Sequence, residues 1–258
     1  MDWMIASPPN TMSPARPREW WETRAFAVAM VLLAAVPLIY PPIPPLVDLL
    51  GHIGRYRVEI DLATSPSLQK YYEFHWAIVG NLGVDLLVWP LGKLIGLEPA
   101  VKLIVISIPM MTVAGMLWCA REVHYRLPPT VMFALPFAYG QHFLFGFVNF
   151  ALSMSLALLA FALWLRLARQ GRLRLRAALF VVIGPILWLT HTFGWGTLGV
   201  LAFSAELIRQ HDRGRSWPRA LYWTGIHCLS LAPPILLMVA WRSGHVGGQT
   251  ADWFNWDA

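Results

Sequence analysis

Charged residues are scarce in this sequence. Asp, Glu, Lys and Arg make up only 13% of the 258 residues, whereas 57% are hydrophobic. Soluble domains carry about a quarter charged residues, so the composition excludes an ordinary soluble domain. The hydrophobic residues come in long runs, and such runs predict a polytopic membrane protein in contact with membrane lipids. The formal net charge of +6 does not indicate nucleic-acid binding, because Lys and Arg collect in the cytoplasmic loops of membrane proteins.

Cysteine and the short motifs of soluble enzymes are rare or missing. The two cysteines, Cys119 and Cys228, lie in apolar runs and are interpreted as small buried hydrophobic side chains. Neither belongs to a CxxC pair or to a Cys/His pattern with metal-ligand spacing. The sequence also has no Walker A loop, HExxH, GxSxG or Rossmann glycine motif, which disfavours an enzyme acting on soluble nucleotides.

No signal peptide is recognisable in the sequence. Residues 1–23 are polar and Pro-rich and lack the basic start and short apolar core of such a segment, so we interpret them as a cytoplasmic tail. Residues 24–258 are interpreted as a single transmembrane domain. The sequence stops at "ADWFNWDA" without a natural closing element, and we therefore expect the N-terminal part of a longer protein.

Eight apolar segments follow one another along the chain, and they predict an all-α bundle of transmembrane helices. They cover residues 25–40, 76–97, 103–120, 130–145, 147–168, 177–191, 194–208 and 218–241. The segment 76–97 contains Asp85, Pro90 and Lys93, which leaves two topologies open. The chain has eight spans if this segment crosses the membrane, and about seven if it lies along the outer face or dips into it.

The distribution of basic residues favours one of these topologies. If segment 76–97 does not cross, fourteen of the 20 Lys and Arg residues fall on the cytoplasmic side, and if it crosses, only six do. Because basic residues prefer cytoplasmic loops, we predict about seven spans and a cytoplasmic N-terminus. Residues 41–101 then form a large loop on the outer face, with helices that lie along the membrane.

The predicted outer loop begins with ionisable residues on one face of a helix. Asp48, His52 and Arg55 stand at positions i, i+4 and i+7, and Glu59 extends the stripe. One interpretation is a solvated face whose charges pair with each other. The other is a site in which His52 orients a catalytic Asp48 or binds a substrate phosphate, while Arg55 or Arg57 binds a lipid phosphate.

Four further polar residues join the candidate substrate-binding set at the predicted outer face: Asp85, His142, Asn149 and His191. An acid within an apolar run is costly in a membrane, which marks Asp85 as a functional candidate. The alternatives for Asp85 are capping of a helix and pairing with Lys93. Asn149 stands among small residues that favour helix packing, and both histidines fit a structural role equally well.

Four stretches of the sequence together resemble a known group of proteins. They are "PPIPPLVDLLGHIGR" (Pro41–Arg55), "NLGVDLL" (Asn81–Leu87), "FLFGFVNFALSMSLALLAFALWL" (Phe143–Leu165) and "THTFGWGTLGVLAFSAEL" (Thr190–Leu207). This combination resembles uncharacterised bacterial polytopic membrane proteins that are distantly similar to the C-type glycosyltransferases, which use lipid-linked sugars. The resemblance covers about residues 25–210 and implies a multi-pass protein of the bacterial inner membrane.

The resemblance implies a transferase that takes a sugar from a polyprenyl-phosphate donor at the outer, periplasmic face. In C-type transferases a carboxylate soon after the first span acts as general base or metal ligand, and Asp48 occupies that place. This chain departs from many such enzymes because no second acid stands beside Asp48, and His52 is its polar neighbour. The ligand spacing therefore does not support a divalent metal, and the cofactor and the oligomeric state stay open.

A non-enzymatic transporter or a structural membrane subunit is the alternative function. A transporter is expected to place ionisable residues in mid-span and to contain inverted repeats. In this sequence the candidate residues collect at one face of the predicted bundle, and no repeat is visible. This pattern favours the enzyme.

Overall fold

The computed structural model describes residues 17–244, and this part of the chain is helical without strands. A helix satisfies its own backbone hydrogen bonds, which is why long apolar runs adopt it. The α-helices are α1 (Arg24–Leu33), α2 (Val36–Ile39), α3 (Leu49–Asp61), α4 (Pro66–Gln69), α5 (Gly83–Ile95), α6 (Leu97–His124), α7 (Ala134–Ala138), α8 (Gln141–Leu144), α9 (Val148–Arg169), α10 (Leu173–Thr190), α11 (Thr192–Asp212), α12 (Trp217–Cys228) and α13 (Pro233–Gly244). Short 3₁₀ helices are formed by Trp20–Glu22, Pro129–Phe133 and Leu229–Leu231. Most of the predicted tail and the stretch "ADWFNWDA" lie outside the described residues.

Three of the described helices, α6, α9 and α10, are long and apolar enough to cross a membrane. A fourth candidate is the pair formed by α12 with its 3₁₀ extension and α13, which are bent by 61° relative to each other. The all-helical class is confirmed for residues 17–244. The predicted number of about seven spans is not confirmed.

Three predicted spans differ from the observed helices. Residues 130–145 form a 3₁₀ turn followed by the short helices α7 and α8, because Pro128, Pro129 and Pro136 each lack a backbone donor. Residues 25–40 are divided between α1 and α2 and reach only the length of a shorter apolar helix. α11 has 21 residues, but it is not apolar enough to count among the candidate spans.

The segment that decides the predicted topology is only partly helical. Within residues 76–97 the helix α5 has 13 residues, which rise about 20 Å. The hydrocarbon core of a bilayer is about 30 Å thick, so α5 is too short to cross it unaided. Gly96, with φ +92°, then turns the chain directly into α6. α5 packs against α3 and α6.

α9 lies at the centre of the bundle and contacts α5, α6, α8, α10 and α11. Small side chains permit this close packing, as the sequence predicted, and the buried ones include Ala151, Ser153, Ser155 and Ala157. A Cβ on Gly115 of α6 would stand 2.7 Å from Cβ of Leu158. A Cβ on Gly194 of α11 would stand 2.6 Å from Cβ of Ser153. Both glycines are therefore required by the approach of their helices to α9.

The length of α9 separates two ends of the bundle. From Asn149 to Arg169 the helix rises about 30 Å, close to the thickness of a hydrocarbon core. We call the first the Asn149 end, where α5, α8 and the beginning of α6 contact α9, and α3 packs on α5 and α6. We call the second the Arg169 end, where the beginnings of α1 and α10 and the ends of α6 and α11 lie.

One arginine of the basic run "RLARQGRLRLR" is buried, although the sequence predicted a cytoplasmic loop. Arg176, in the first turns of α10, is 1% exposed, and its Nη1 donates to Oε2 of Glu206 at 2.8 Å. Its guanidinium lies 3.9 Å from the ring centroid of Trp164, and Gln210 donates to the other carboxylate oxygen of Glu206. The run thus ends inside the bundle, because an acid on α11 neutralises its last arginine.

Candidate functional site

The beginning of α3 is fixed to the end of α8 through backbone hydrogen bonds. The N–H groups of Val47 and Asp48 donate to the carbonyls of Leu144 and Phe145 at 3.2 and 2.9 Å. Gly146, with φ +91°, leaves room for this approach, since a Cβ there would stand 2.8 Å from the nitrogen of Asp48. The candidate catalytic residue therefore begins a helix whose position is set by the α8–α9 connection.

Asp48 and His52 lie one helical turn apart at the surface of α3. Asp48 occupies the N-cap position, is exposed, and makes no side-chain capping hydrogen bond. His52 is partly exposed, and its ring stacks on that of the buried Tyr56 with centroids 6.1 Å apart. Burial and the nearby Arg55 lower the pKa of His52 below its usual value, against the opposing effect of the acids Asp48 and Asp85. Near neutral pH His52 is therefore neutral, and it lies one helical turn from the exposed side chain of Asp48.

Arg55, Asp85 and Asn149 form one connected group although they come from three distant parts of the chain. Nη2 of Arg55 lies 2.8 Å from Oδ1 of Asp85, which is almost fully buried, whereas the Arg55 side chain is 43% exposed. Nδ2 of Asn149 donates to Oδ2 of Asp85 at 3.1 Å. Oδ1 of Asn149 accepts from the backbone N–H of Val84 at 2.6 Å, so Asn149 also caps the beginning of α5.

This group decides the interpretation of Asp85. The alternative that Asp85 pairs with Lys93 is wrong, because the ammonium of Lys93 lies over the ring of Trp89, 3.6 Å from its centroid. Asp85 pairs instead with Arg55. Asp85 and Asn149 are buried at 2% and 5% exposure, so they lie beneath Arg55 and hold it, while Arg55 itself reaches the surface.

Glu59 and Tyr56 are buried polar residues that sequence reasoning did not select. Glu59 is 7% exposed, and neither carboxylate oxygen has a hydrogen-bond partner among the described residues. Burial and the nearby Asp85 raise the pKa of Glu59 to about 7, although Arg55 opposes this. The hydroxyl of Tyr56 is also buried, and the side chain of Arg55 lies close to it. The continuation of the stripe to Glu59 was the available signal, but only the packing of α3 on α5 shows that this residue faces inward.

The two candidate histidines meet around one aromatic ring. His142 of α8 lies 4.9 Å from Phe150, and His191 lies 5.5 Å from the same ring, measured between centroids. His191 separates α10 from α11, and its Nδ1 accepts from the backbone N–H of Phe193 at 3.3 Å. His191 therefore caps α11, and burial lowers its pKa. Phe150 directly follows Asn149, so both histidines lie at the Asn149 end.

Arg57 takes no part in the buried group. It pairs with Asp61, one turn further along α3, and its side chain is 65% exposed. Two residues along a helix point in nearly opposite directions, so Arg57 faces away from Asp85 when Arg55 faces toward it. All eight candidates thus lie at the Asn149 end, with Arg57 on the solvated side of α3. Among the described residues, no hydrogen bond, ion pair or ring contact joins Asp48 or His52 to His142 or His191.

A metal centre is not supported by the described side chains. Within residues 17–244 no group of three or more His, Cys, Asp or Glu residues is arranged to hold a metal ion. Asp48 and His52 supply at most two ligands.

Comparison with protein-family models, curated proteins and solved structures finds no match. The resemblance to C-type glycosyltransferases therefore stays a prediction based on the sequence.

Proposed function

We propose that this protein is an integral membrane glycosyltransferase that transfers a sugar from a polyprenyl-phosphate donor at the Asn149 end. One observation carries the proposal. An exposed carboxylate, Asp48, and an anchored but accessible guanidinium, Arg55, lie two turns apart on one helix, with His52 between them. Transfer from a lipid phosphate needs a base for the acceptor and a cation for the leaving phosphate.

Arg55 is suited to bind the phosphate of the donor. A guanidinium has five N–H donors in a planar fork, and the salt bridge to Asp85 uses the Nη2 side of it. With 43% of the side chain exposed, the other donors can reach a phosphate at the membrane surface. Asp85 and Asn149 act as positioning residues, because they fix the orientation of Arg55 from below. Preorganised donors of this kind stabilise charge that develops during the reaction.

Asp48 serves as the general base in this proposal. The carboxylate takes the proton of an acceptor hydroxyl while the hydroxyl oxygen forms a bond to C1 of the donor sugar. The bond between C1 and the phosphate oxygen breaks, and its electron pair leaves with the polyprenyl phosphate. The products are a glycoside, a polyprenyl phosphate and a protonated Asp48, which returns its proton to water. His52, neutral and one turn away, orients the base or contacts the leaving phosphate.

The proposal places the Asn149 end at the periplasmic face of a bacterial inner membrane. The arginines counted as cytoplasmic in the sequence include Arg121, Arg166 and Arg169, which lie at the opposite end of α9. Single cysteines at the exposed positions Glu73 and Gln170, in a chain lacking Cys119 and Cys228, test this orientation. A membrane-impermeant thiol reagent is expected to label only the cysteine at position 73 in intact cells, and external labelling at position 170 alone contradicts the orientation.

Donor consumption tests the catalytic part of the proposal. The full chain in nanodiscs is given a set of radiolabelled polyprenyl-phosphate hexoses and pentoses, with bacterial membrane extract as the source of acceptors. We expect release of polyprenyl phosphate from at least one donor, and a loss of about 10²-fold or more in Asp48→Asn. Asp61→Asn removes an acid from the same helix and serves as the matched control. No release by the unmodified protein, or equal rates in the two variants, contradicts the proposal.

One observation favours transport as a second candidate function. Glu59 is buried without a hydrogen-bond partner among the described residues and adjoins the charged pair of Arg55 and Asp85. A buried carboxylate whose pKa lies near 7 can gain and lose a proton at physiological pH, as proton-coupled transporters require. Proton uptake by proteoliposomes that Glu59→Gln abolishes, together with no donor consumption, would favour this function over the transferase.

A further inference from the structure

A second polar site lies at the Arg169 end, about 30 Å along α9 from the proposed active site. An open cavity of about 690 Å³ lies between α1, α6 and α9. Its wall is apolar and is formed by residues such as Val28, Val31, Leu32 and Leu117. Its other side carries four arginines: Arg24, Arg121, Arg166 and Arg169. The cavity thus joins an apolar wall to a cluster of positive charge.

Only one of these four arginines is neutralised within the described residues. Nη2 and Nε of Arg169 donate to Oε2 of Glu122 at 2.6 and 2.9 Å, and Trp118 donates to Oε1 at 3.1 Å. Glu122 is the single acid in the lining, and it is 8% exposed. Arg24, Arg121 and Arg166 form no ion pair in the part of the chain that the structure describes. Three positive charges therefore face the cavity.

A smaller cavity extends this positive region. It measures about 290 Å³, shares Arg24 and Arg121 with the larger one, and adds Arg18 and Arg126 to the lining. Its acid, Glu22, lies 3.8 Å from Arg126. The planar guanidinium group of arginine matches the geometry of phosphate oxygens. The two cavities together therefore place several guanidinium groups where they can bind one phosphate.

We propose that the larger cavity binds an anionic phospholipid of the surrounding bilayer. The phosphate contacts Arg24, Arg121 and Arg166, and an acyl chain follows the apolar wall toward Val28 and Leu32, which are more than half exposed on α1. Helix ends lie at the depth of lipid headgroups, which puts the arginines level with the phosphate. A zwitterionic lipid fits less well, because its own cation would be repelled by the arginines.

Binding of phosphatidylglycerol to the purified full chain tests the proposal, with phosphatidylcholine as the zwitterionic reference. Arg121→Ala/Arg166→Ala is expected to weaken binding of phosphatidylglycerol by about 30-fold, because each basic residue near the headgroups contributes about fivefold. Arg172→Ala/Arg174→Ala removes two exposed arginines, one just before α10 and one in its first turn, and is the matched control. We expect its affinity to change less than about twofold.

Two further measurements keep the test decisive. Val28→Trp fills part of the apolar side of the larger cavity and leaves every arginine in place. It is therefore expected to weaken binding of the lipid without changing binding of inorganic phosphate. Inorganic phosphate at the concentration of the lipid is expected not to displace it. Displacement by inorganic phosphate, equal affinity for both lipids, or equal losses in the two arginine variants would each overturn the proposal.

Discussion

The two ends of α9 use the same structural device and differ in the charge that is left over. At the Asn149 end an arginine and an amide hold Asp85, and at the Arg169 end an arginine and an amide hold Glu206. Around Asp85 the additional ionisable groups include the buried acid Glu59 and the histidine His52. Around Arg169 the additional groups are arginines. In the two proposals above, the first end combines proton transfer with binding of the donor phosphate, whereas the second end binds the phosphate of a membrane lipid.

The two pairs also differ in exposure. Arg176 and Glu206 are both shielded, with side chains 1% and 0% exposed, whereas Arg55 is 43% exposed above the buried Asp85. A fully buried pair stabilises the bundle only while both charges are present. A half-exposed arginine can instead exchange its partner for water or for a ligand. The first pair is therefore structural, and the second is compatible with a role in substrate binding.

The largest effect is expected when the fully buried pair is broken. Glu206→Ala leaves the charge of Arg176 without its nearest partner, and loss of one partner of a buried pair costs about 3–5 kcal/mol of stability. Denaturant unfolding in detergent measures this loss. The double variant Glu206→Ala/Arg176→Met removes both charges and is expected to recover part of it. If the double variant is no more stable than Glu206→Ala, the charge of Arg176 is not the cause, and the remaining candidate is Arg209, which lies 3.7 Å from Glu206 and loses its partner in both variants.

A smaller loss is expected when the half-exposed pair is broken. In Asp85→Ala the guanidinium of Arg55 can turn into water, while Asn149 loses one acceptor in a buried position. An unsatisfied buried group costs about 1–3 kcal/mol, so the loss should stay below that in Glu206→Ala. The same unfolding measurement compares the two variants. Equal losses would mean that Arg55 is held as rigidly as Arg176 and is not available for a ligand.

The pH dependence of stability is expected to separate the two ends further. The pKa of Glu59 in the folded protein is raised to about 7 from the ordinary value of 4.5, so the folded state binds the proton more tightly than the unfolded state does. Its contribution to stability is full below about pH 4.5 and is lost as the pH rises through about 7. Glu59→Gln removes this contribution.

The measurement is the difference in unfolding temperature between the unmodified protein and Glu59→Gln across this pH range. The lowered pKa values of His52 and His191 make stability rise with pH. Because both proteins contain these histidines, the difference removes their contribution. We expect the unmodified protein to lose stability relative to Glu59→Gln as the pH rises. A difference that does not change with pH would show that Glu59 titrates normally and has access to water.

Local sequence patterns predicted the features that depend on neighbours along the chain. The apolar runs predicted helices, and the small residues of α9 predicted a buried packing face. Pairings between distant segments could not be predicted in this way. Asp85 had a nearby cation in Lys93, but α3 packs on α5 and brings Arg55 to the acid instead. Likewise, Arg176 was one of several arginines in a basic run, and its partner Glu206 lies 30 residues later on another helix.

The smallest effect on stability is expected for Arg57→Ala. Comparing this variant with Arg55→Ala tests the difference between the two faces of α3. The partner of Arg57, Asp61, is four residues away on the same helix, and exposed pairs of this kind contribute about 0.3–0.5 kcal/mol. Arg57→Ala should therefore change stability by no more than this, and the change should shrink in high salt because exposed charges are screened. Arg55→Ala, two residues away, should cost more and respond less to salt, since it leaves the buried Asp85 without its cation. Equal losses in the two variants would remove the distinction between the solvated face of α3 and the face that bears the site.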